Sequence, residues 1–245
     1  MKKFLLALLI LLVLPLSSYA TPVDLELALL VDVSGSVSAT EYTLQKQGYI
    51  GAFQSAAIQN AIAAGTIGSI AVTYIEWSGA SEQAQLVNWT LINDAATANA
   101  FAAAINGTTR DSSGLTAPGS AINFAVPFFT NNGFEGTREV IDVSGDGAQN
   151  DGANTVAARD AALLAGIDAI NGIVILGEGG LQAWYENNIK GGANAFVIAA
   201  DNFADFGDAI DDKLIREISN VPEPATMILF GVGLLGLAGV NRRKK

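Results

Sequence analysis

Asp32, Ser34 and Ser36 place one carboxylate and two hydroxyls at alternate positions of a single short segment. Alternate residues of an extended backbone point the same way, and Gly35 allows a tight turn between the two serines. A cluster of hard, weakly charged oxygens suits magnesium or manganese, with calcium a further candidate. Taken alone, the same pattern also fits a turn in which Ser34 or Ser36 caps the following helix. Two other segments supply more donors of the same kind. GLTAPGSAI at 114–122 sets Thr116 in a Gly-flanked loop before a helix, and DVSGDGAQND at 142–151 sets Asp146 in a Gly-Asp-Gly turn after a strand. The chain contains no cysteine and no histidine, so oxygens are its only strong ligands. Those absences remove disulfides, nearly every zinc or copper arrangement, and Ser-His-Asp or Cys-His catalysis.

The elements that must position these residues alternate along the chain. LELALLVDV (25–33) is almost wholly apolar, as a strand buried on both faces should be. Residues 41–64 predict one helix, with Leu44, Tyr49, Phe53, Ala56, Ala57 and Ile58 at helical spacing and Gly65 as its stop. SIAVTYIEW (69–77), REVIDVSG (138–145), AINGIVILG (169–177) and AFVIAA (195–200) predict further strands. Between them, helices are predicted over 93–105 with Asn93 or Asp94 as cap, 118–129 bent or ended by Pro127, 151–167, and 181–190. A last helix, 203–218, sets Phe203, Phe206, Ile210, Leu214 and Ile218 on one face. Repeated strand-helix order predicts an α/β fold: a doubly wound, mostly parallel sheet with helices on both faces. In such sheets ligands gather at the carboxyl ends of the strands, where the topology switches. Asp151 reads either as an outer carboxylate of the site or as a helix N-cap, and Trp77 as a core-edge aromatic or a lining of the binding face.

The two ends read as addresses. Residues 1–20 combine Lys2 and Lys3, the apolar run FLLALLILLVLPL at 4–16 and SSYA, the order of a secretory signal peptide cut after Ala20. From Val221 the chain reads VPEPATMILFGVGLLGLAGVNRRKK: two prolines, an apolar stretch over 225–240 and a basic cluster. The expected division is therefore a signal peptide at 1–20, one domain at 21–220 and a tail at 221–245 with a short membrane helix, so that the membrane is met only through the terminal segments. Setting aside Lys2, Lys3, Arg242, Arg243, Lys244, Lys245 and Glu223 reduces 13 basic and 24 acidic residues to 7 and 23, a core net charge of −16. Nucleic acid is excluded as a partner by that charge.

VPEP at 221–224, followed by an apolar helix and a basic end, resembles the PEP-CTERM sorting signal. That resemblance implies recognition by an exosortase-type membrane enzyme and delivery to the envelope, outer surface or extracellular matrix of a Gram-negative bacterium. The three donor segments, in their order Asp-x-Ser-x-Ser, Thr, Asp, resemble the metal-ion-dependent adhesion site of von Willebrand factor A domains. The resemblance implies that Ser34, Ser36 and Thr116 ligate a divalent cation directly, while Asp32 and Asp146 act through waters or hydrogen bonds. Gly145 stands where many family members have Thr. EWSG (76–79), SGDG (144–147), RDAALLAGI (159–167), ING (170–172) and KLIREIS (213–219) are similar to an uncharacterised bacterial branch of that superfamily. The function so implied is a non-enzymatic one: adhesion to a protein or acidic exopolysaccharide that offers a carboxylate to the metal. A structural matrix component with a metal-stabilised fold is the alternative. A metal-dependent hydrolase using Asp32 and Asp146 is a third reading, weakened because Arg110 is the only cation beside the motif.

Overall fold

The computed structural model describes residues 20–219. The predicted signal peptide, the tail and its apolar stretch lie outside them, apart from Ala20. Among the described residues no helix is long and apolar enough to cross a membrane.

Strand β1 (Thr21–Val23) leads into β2 (Leu25–Asp32), the centre of the fold. Every residue of β2 is buried, and its side chains alternate between two cores. Leu25, Leu27, Leu29 and Val31 enter one, while Ala28 and Leu30 enter the other. Helix α1 (Ala39–Gln54) and helix α2 (Ala56–Ala63) follow, then β3 (Ile70–Trp77), β4 (Gln83–Ile92) and α3 (Ala95–Asn106). Helix α4 (Pro118–Ala125) ends in a 3-10 turn at Val126–Phe129, the interruption expected of Pro127. The remainder is β5 (Phe134–Gly136), β6 (Glu139–Gly145), α5 (Thr155–Leu164), β7 (Ala169–Ile175), α6 (Leu181–Asn188), β8 (Gly191–Gly192), β9 (Val197–Ala200) and α7 (Phe206–Ser219).

The main sheet runs β4-β3-β2-β6-β7, with β8 and β9 both on the outer side of β7. Strands β3, β2, β6, β7 and β9 are parallel. Helices α1, α3 and α7 pack together on one face, and α4 and α5 together with α6 on the other. The expected doubly wound architecture is therefore present. The chain passes from β2 to β3 on one side and reaches β6 on the other, so the switch point lies between the carboxyl ends of β2 and β6.

Several elements differ from the sequence reading; the last helix begins at Phe206 and not at 203, so Phe203 lies before it. The helix expected over 41–64 is two, because Ser55 adopts an extended backbone and its hydroxyl accepts the Ile58 N–H at 3.2 Å, capping α2. Tyr49, Phe53 and Ile58 are buried as expected, whereas Leu44, Ala56 and Ala57 face outward. Strand β4, antiparallel to β3, was not foreseen. Its residues are mostly half-buried, as suits an edge, and register shifts opposite Val72–Ile75 break the alternation that would betray it. Finally, α5 begins at Thr155 under an Asn154 cap, so Asp151 is not its N-cap.

Candidate metal centre

Asp32 is the last residue of β2 and is completely buried. Its Oδ1 accepts the Ser34 N–H at 2.7 Å, folding the chain back on itself as soon as the strand ends. Gly35 then passes so close to the 113–114 backbone that a Cβ would lie 3.1 Å from the Ser113 carbonyl, and its N–H donates to the Gly114 carbonyl at 2.8 Å. The result is that Ser34 and Ser36 present their hydroxyls together, Oγ to Oγ 3.1 Å apart. Ser36 Oγ in turn donates to Asp146 Oδ1 at 2.6 Å, a contact between residues 110 positions apart. Neither serine caps α1. That role belongs to Ser38, which exchanges hydrogen bonds with Glu41 in a capping box.

Thr116 arrives from the other side of the switch point. Its N–H donates to Asn150 Oδ1 at 2.8 Å, and its carbonyl accepts from Asn150 and Asp151 N–H groups. A Cβ on Gly147, next to Asp146, would sit 3.5 Å from Thr116 Oγ1, so the absence of a side chain there leaves Thr116 beside the acidic turn. Direct hydrogen bonds thus join Asp32, Ser34, Ser36 and Asp146 at the carboxyl ends of β2 and β6, and Thr116 lies beside Gly147 of the same turn.

Arg110, in sequence only a cation beside the motif, holds the backbone of the serine loop. Arg110 Nη2 donates to the Val33 and Ser34 carbonyls at 2.6 and 2.8 Å, Nη1 to the Val37 carbonyl at 2.8 Å, and Nε to the Ser112 carbonyl at 3.0 Å. The guanidinium clamps the serine loop from beneath and joins it to the loop that carries Thr116. The available signal was its place six residues before Thr116 in a Ser- and Gly-rich loop. Replacing Arg110 with leucine should therefore weaken cation binding tenfold or more while melting cooperatively, because the loop loses several charge-assisted bonds of about 1.5–3 kcal/mol each. Calorimetric titration with manganese checks this.

Beside the cluster, Asp151 Oδ2 accepts the Ala80 N–H at 2.8 Å, and Glu82 Oε2 accepts Ser78 Oγ and the Gly79 N–H at 2.7 and 3.0 Å. These carboxylates brace the loops around the centre. Trp77 is fully buried and packs in the core, and Glu178 is exposed.

Burial pushes the Asp32 carboxyl up to about 7 against the lowering effect of the Ser34 hydrogen bonds, and burial also raises Asp146. A buried carboxylate lacking a cation is costly, and a bound divalent ion removes that cost. Asp32 Oδ2 has no hydrogen-bond partner among the described residues. Among those residues no three or more of His, Cys, Asp and Glu gather as a metal site. The donor set thus fits a hard divalent ion.

A family model described as "Protein of unknown function (DUF1194)" matches residues 22–222. The chain belongs to that family. A second model, the PEP-CTERM protein-sorting motif, matches residues 220–244 of this DUF1194 protein. No match is found among curated proteins. Among solved structures, the DUF1194 domain is similar to proximal thread matrix protein 1 of the mussel byssus in a form "with zinc occupied MIDAS motif". The TM-score is 0.62 at 15% identity over 82% of this chain and 49% of that one. It also resembles a von Willebrand factor type A protein from Catenulispora acidiphila, with TM-score 0.55 at 12% identity over 80% and 43% of the two chains. The protein BatB from Bacteroides thetaiotaomicron gives TM-score 0.53 at 20% identity over 80% and 100%. The fold is accordingly von Willebrand factor A-like. The chain spans about half the length of the mussel protein.

Proposed function

We propose that this protein is an exported binding module that engages a carboxylate on its partner through a divalent cation. The observation that carries the reading is the hydrogen-bonded run Asp32–Ser34–Ser36–Asp146 at the topological switch point. In this reading Ser34, Ser36 and Thr116 hold the cation, while Asp32 and Asp146 anchor its surroundings. Three neutral hydroxyls leave a divalent ion electron-poor, so an outside carboxylate completes its shell strongly.

The partner is a protein side chain or a uronic acid of an exported polysaccharide, the two sources of that chemistry outside a cell. With a core net charge of −16, the domain repels an acidic polymer everywhere except at the cation. The sorting motif over 220–244 supports delivery to the envelope or matrix through an exosortase-type enzyme. Magnesium or manganese suits the donors best, and the zinc in the mussel relative's motif adds zinc to the ions worth testing. The hydrolase reading loses support because Arg110 is committed to four backbone carbonyls and cannot swing to a reacting group.

Saturable binding of manganese to the parent chain, reduced at least tenfold in Ser34→Ala, is the expected result of calorimetric titration. A folded parent that takes up neither manganese, magnesium nor zinc sinks the reading and leaves a structural matrix role.

A further inference from the structure

Gly145, the last residue of β6, and Gly172, inside β7, sit on neighbouring strands, where glycine weakens a strand and calls for a reason. Both clear space for one side chain. A Cβ on Gly172 would lie 3.0 Å from Tyr185 Cδ1, and a Cβ on Gly145 would lie 2.6 Å from Tyr185 Oη. The ring of Tyr185, on α6, is therefore laid across β7 and its hydroxyl is delivered to the carboxyl end of β6. The same missing Cβ of Gly145 would lie 2.6 Å from Asp32 Oδ2. Gly145 thus opens one gap, walled on one side by the Tyr185 hydroxyl and on the other by the Asp32 carboxylate.

Both walls are polar, both are completely buried, and neither Tyr185 Oη nor Asp32 Oδ2 has a hydrogen-bond partner among the described residues. Two such groups facing one gap are costly unless something joins them. A phenol hydroxyl is a donor and a carboxylate oxygen an acceptor, so the two groups that face the gap complement each other.

We propose that Tyr185 is a positioning residue of the metal centre. Its hydroxyl, directly or through one water in the Gly145 gap, donates to Asp32 Oδ2 in the cation-bound state. Gly145 then serves the centre by leaving room for a hydroxyl that comes from α6. The inference rests on the proposed cation site and adds to it a residue outside the three motif segments.

Tyr185→Phe keeps the ring, with its edge contact to Trp184 at 5.6 Å, and removes only the hydroxyl. In the full chain, purified in mild detergent, the metal-free melting temperature should stay level or rise, because the deleted group had no partner there. Manganese affinity should fall about tenfold, the scale of a hydrogen bond to a charged group. A second variant, Gly145→Ala, fills the gap and should weaken manganese binding at least as much. Equal affinity of Tyr185→Phe and parent overturns the assignment, as does a loss of affinity that merely tracks a lowered metal-free melting temperature. Failure of the parent itself to bind manganese instead overturns the cation site on which the assignment rests.

Discussion

Asp32→Ala should abolish manganese binding and at the same time make the metal-free protein more stable above pH 7. The two effects have one origin. Asp32 is completely buried, and the protein holds its proton until about pH 7, whereas an unfolded chain releases it near 4. Between those values the folded state binds more protons than the unfolded state, so stability falls as pH rises and levels off above 7. A fully buried carboxyl raised this far carries on the order of 4 kcal/mol of penalty at neutral pH and above. Glu76 and Glu139, raised by burial to about 6 and about 7, tilt the curve the same way. Alanine removes the Asp32 share, and a bound cation offsets it in the parent. Urea unfolding at pH 5 and pH 8, with and without manganese, should show a steep parent, a flatter parent with metal, and an Asp32→Ala variant flatter without metal and indifferent to it. An unchanged slope in the variant would show that Asp32 is already relieved by its protein surroundings.

The donors of this centre were legible because the chemistry is written in residue types at strand ends. Asp32, Ser34, Ser36, Thr116 and Asp146 lie in three short segments, and each segment ends or follows an element whose pattern is plain. The parallel core was legible for a related reason: β2 is apolar on both faces, which only a covered sheet explains. What stayed hidden depends on partners distant in sequence. Strand β4 is a half-buried edge whose register slips against β3, so no period announces it. Ser55 looks like any helical serine until its hydroxyl turns to the Ile58 N–H. Arg110 reads as the one cation beside the motif, and only the folded loop shows it bound to the carbonyls of Val33, Ser34 and Val37. Gly145 reads as a lost hydroxyl, since nothing in sequence connects it with Tyr185, 40 residues later on another element.

Lys213→Met should cost about 3–5 kcal/mol of unfolding free energy, the cost of stranding buried charge. Lys213 is wholly buried in α7, with Nζ 2.6 Å from Asp142 Oδ1 on β6 and 2.5 Å from Glu217 Oε1 one turn along its own helix. Glu217 Oε1 also accepts Asn171 Nδ2 at 2.8 Å, and Asn171 Oδ1 accepts the Phe196 N–H at 3.0 Å. One ammonium therefore pairs with one oxygen of each carboxylate and, through Asn171, ties α7 to β6, β7 and the segment before β9, while Asp142 Oδ2 and Glu217 Oε2 stay buried without a hydrogen-bond partner among the described residues. Methionine fills similar volume but leaves Asp142 and Glu217 facing each other in the core without a cation. Hydrophobic burial does not need this arrangement, because Phe206, Ile210, Leu214 and Ile218 already fix the apolar face of α7. The charges specify which register of that face is used, since a helix slid by one turn would bury them unpaired. The triple variant Lys213→Met, Asp142→Leu, Glu217→Gln should accordingly recover most of the lost stability, because it removes every charge of the cluster and keeps an amide oxygen for Asn171 Nδ2. Urea unfolding of the single and triple variants decides it: a single variant within about 1 kcal/mol of the parent would mean that solvent reaches these carboxylates and that α7 is held by its apolar face alone.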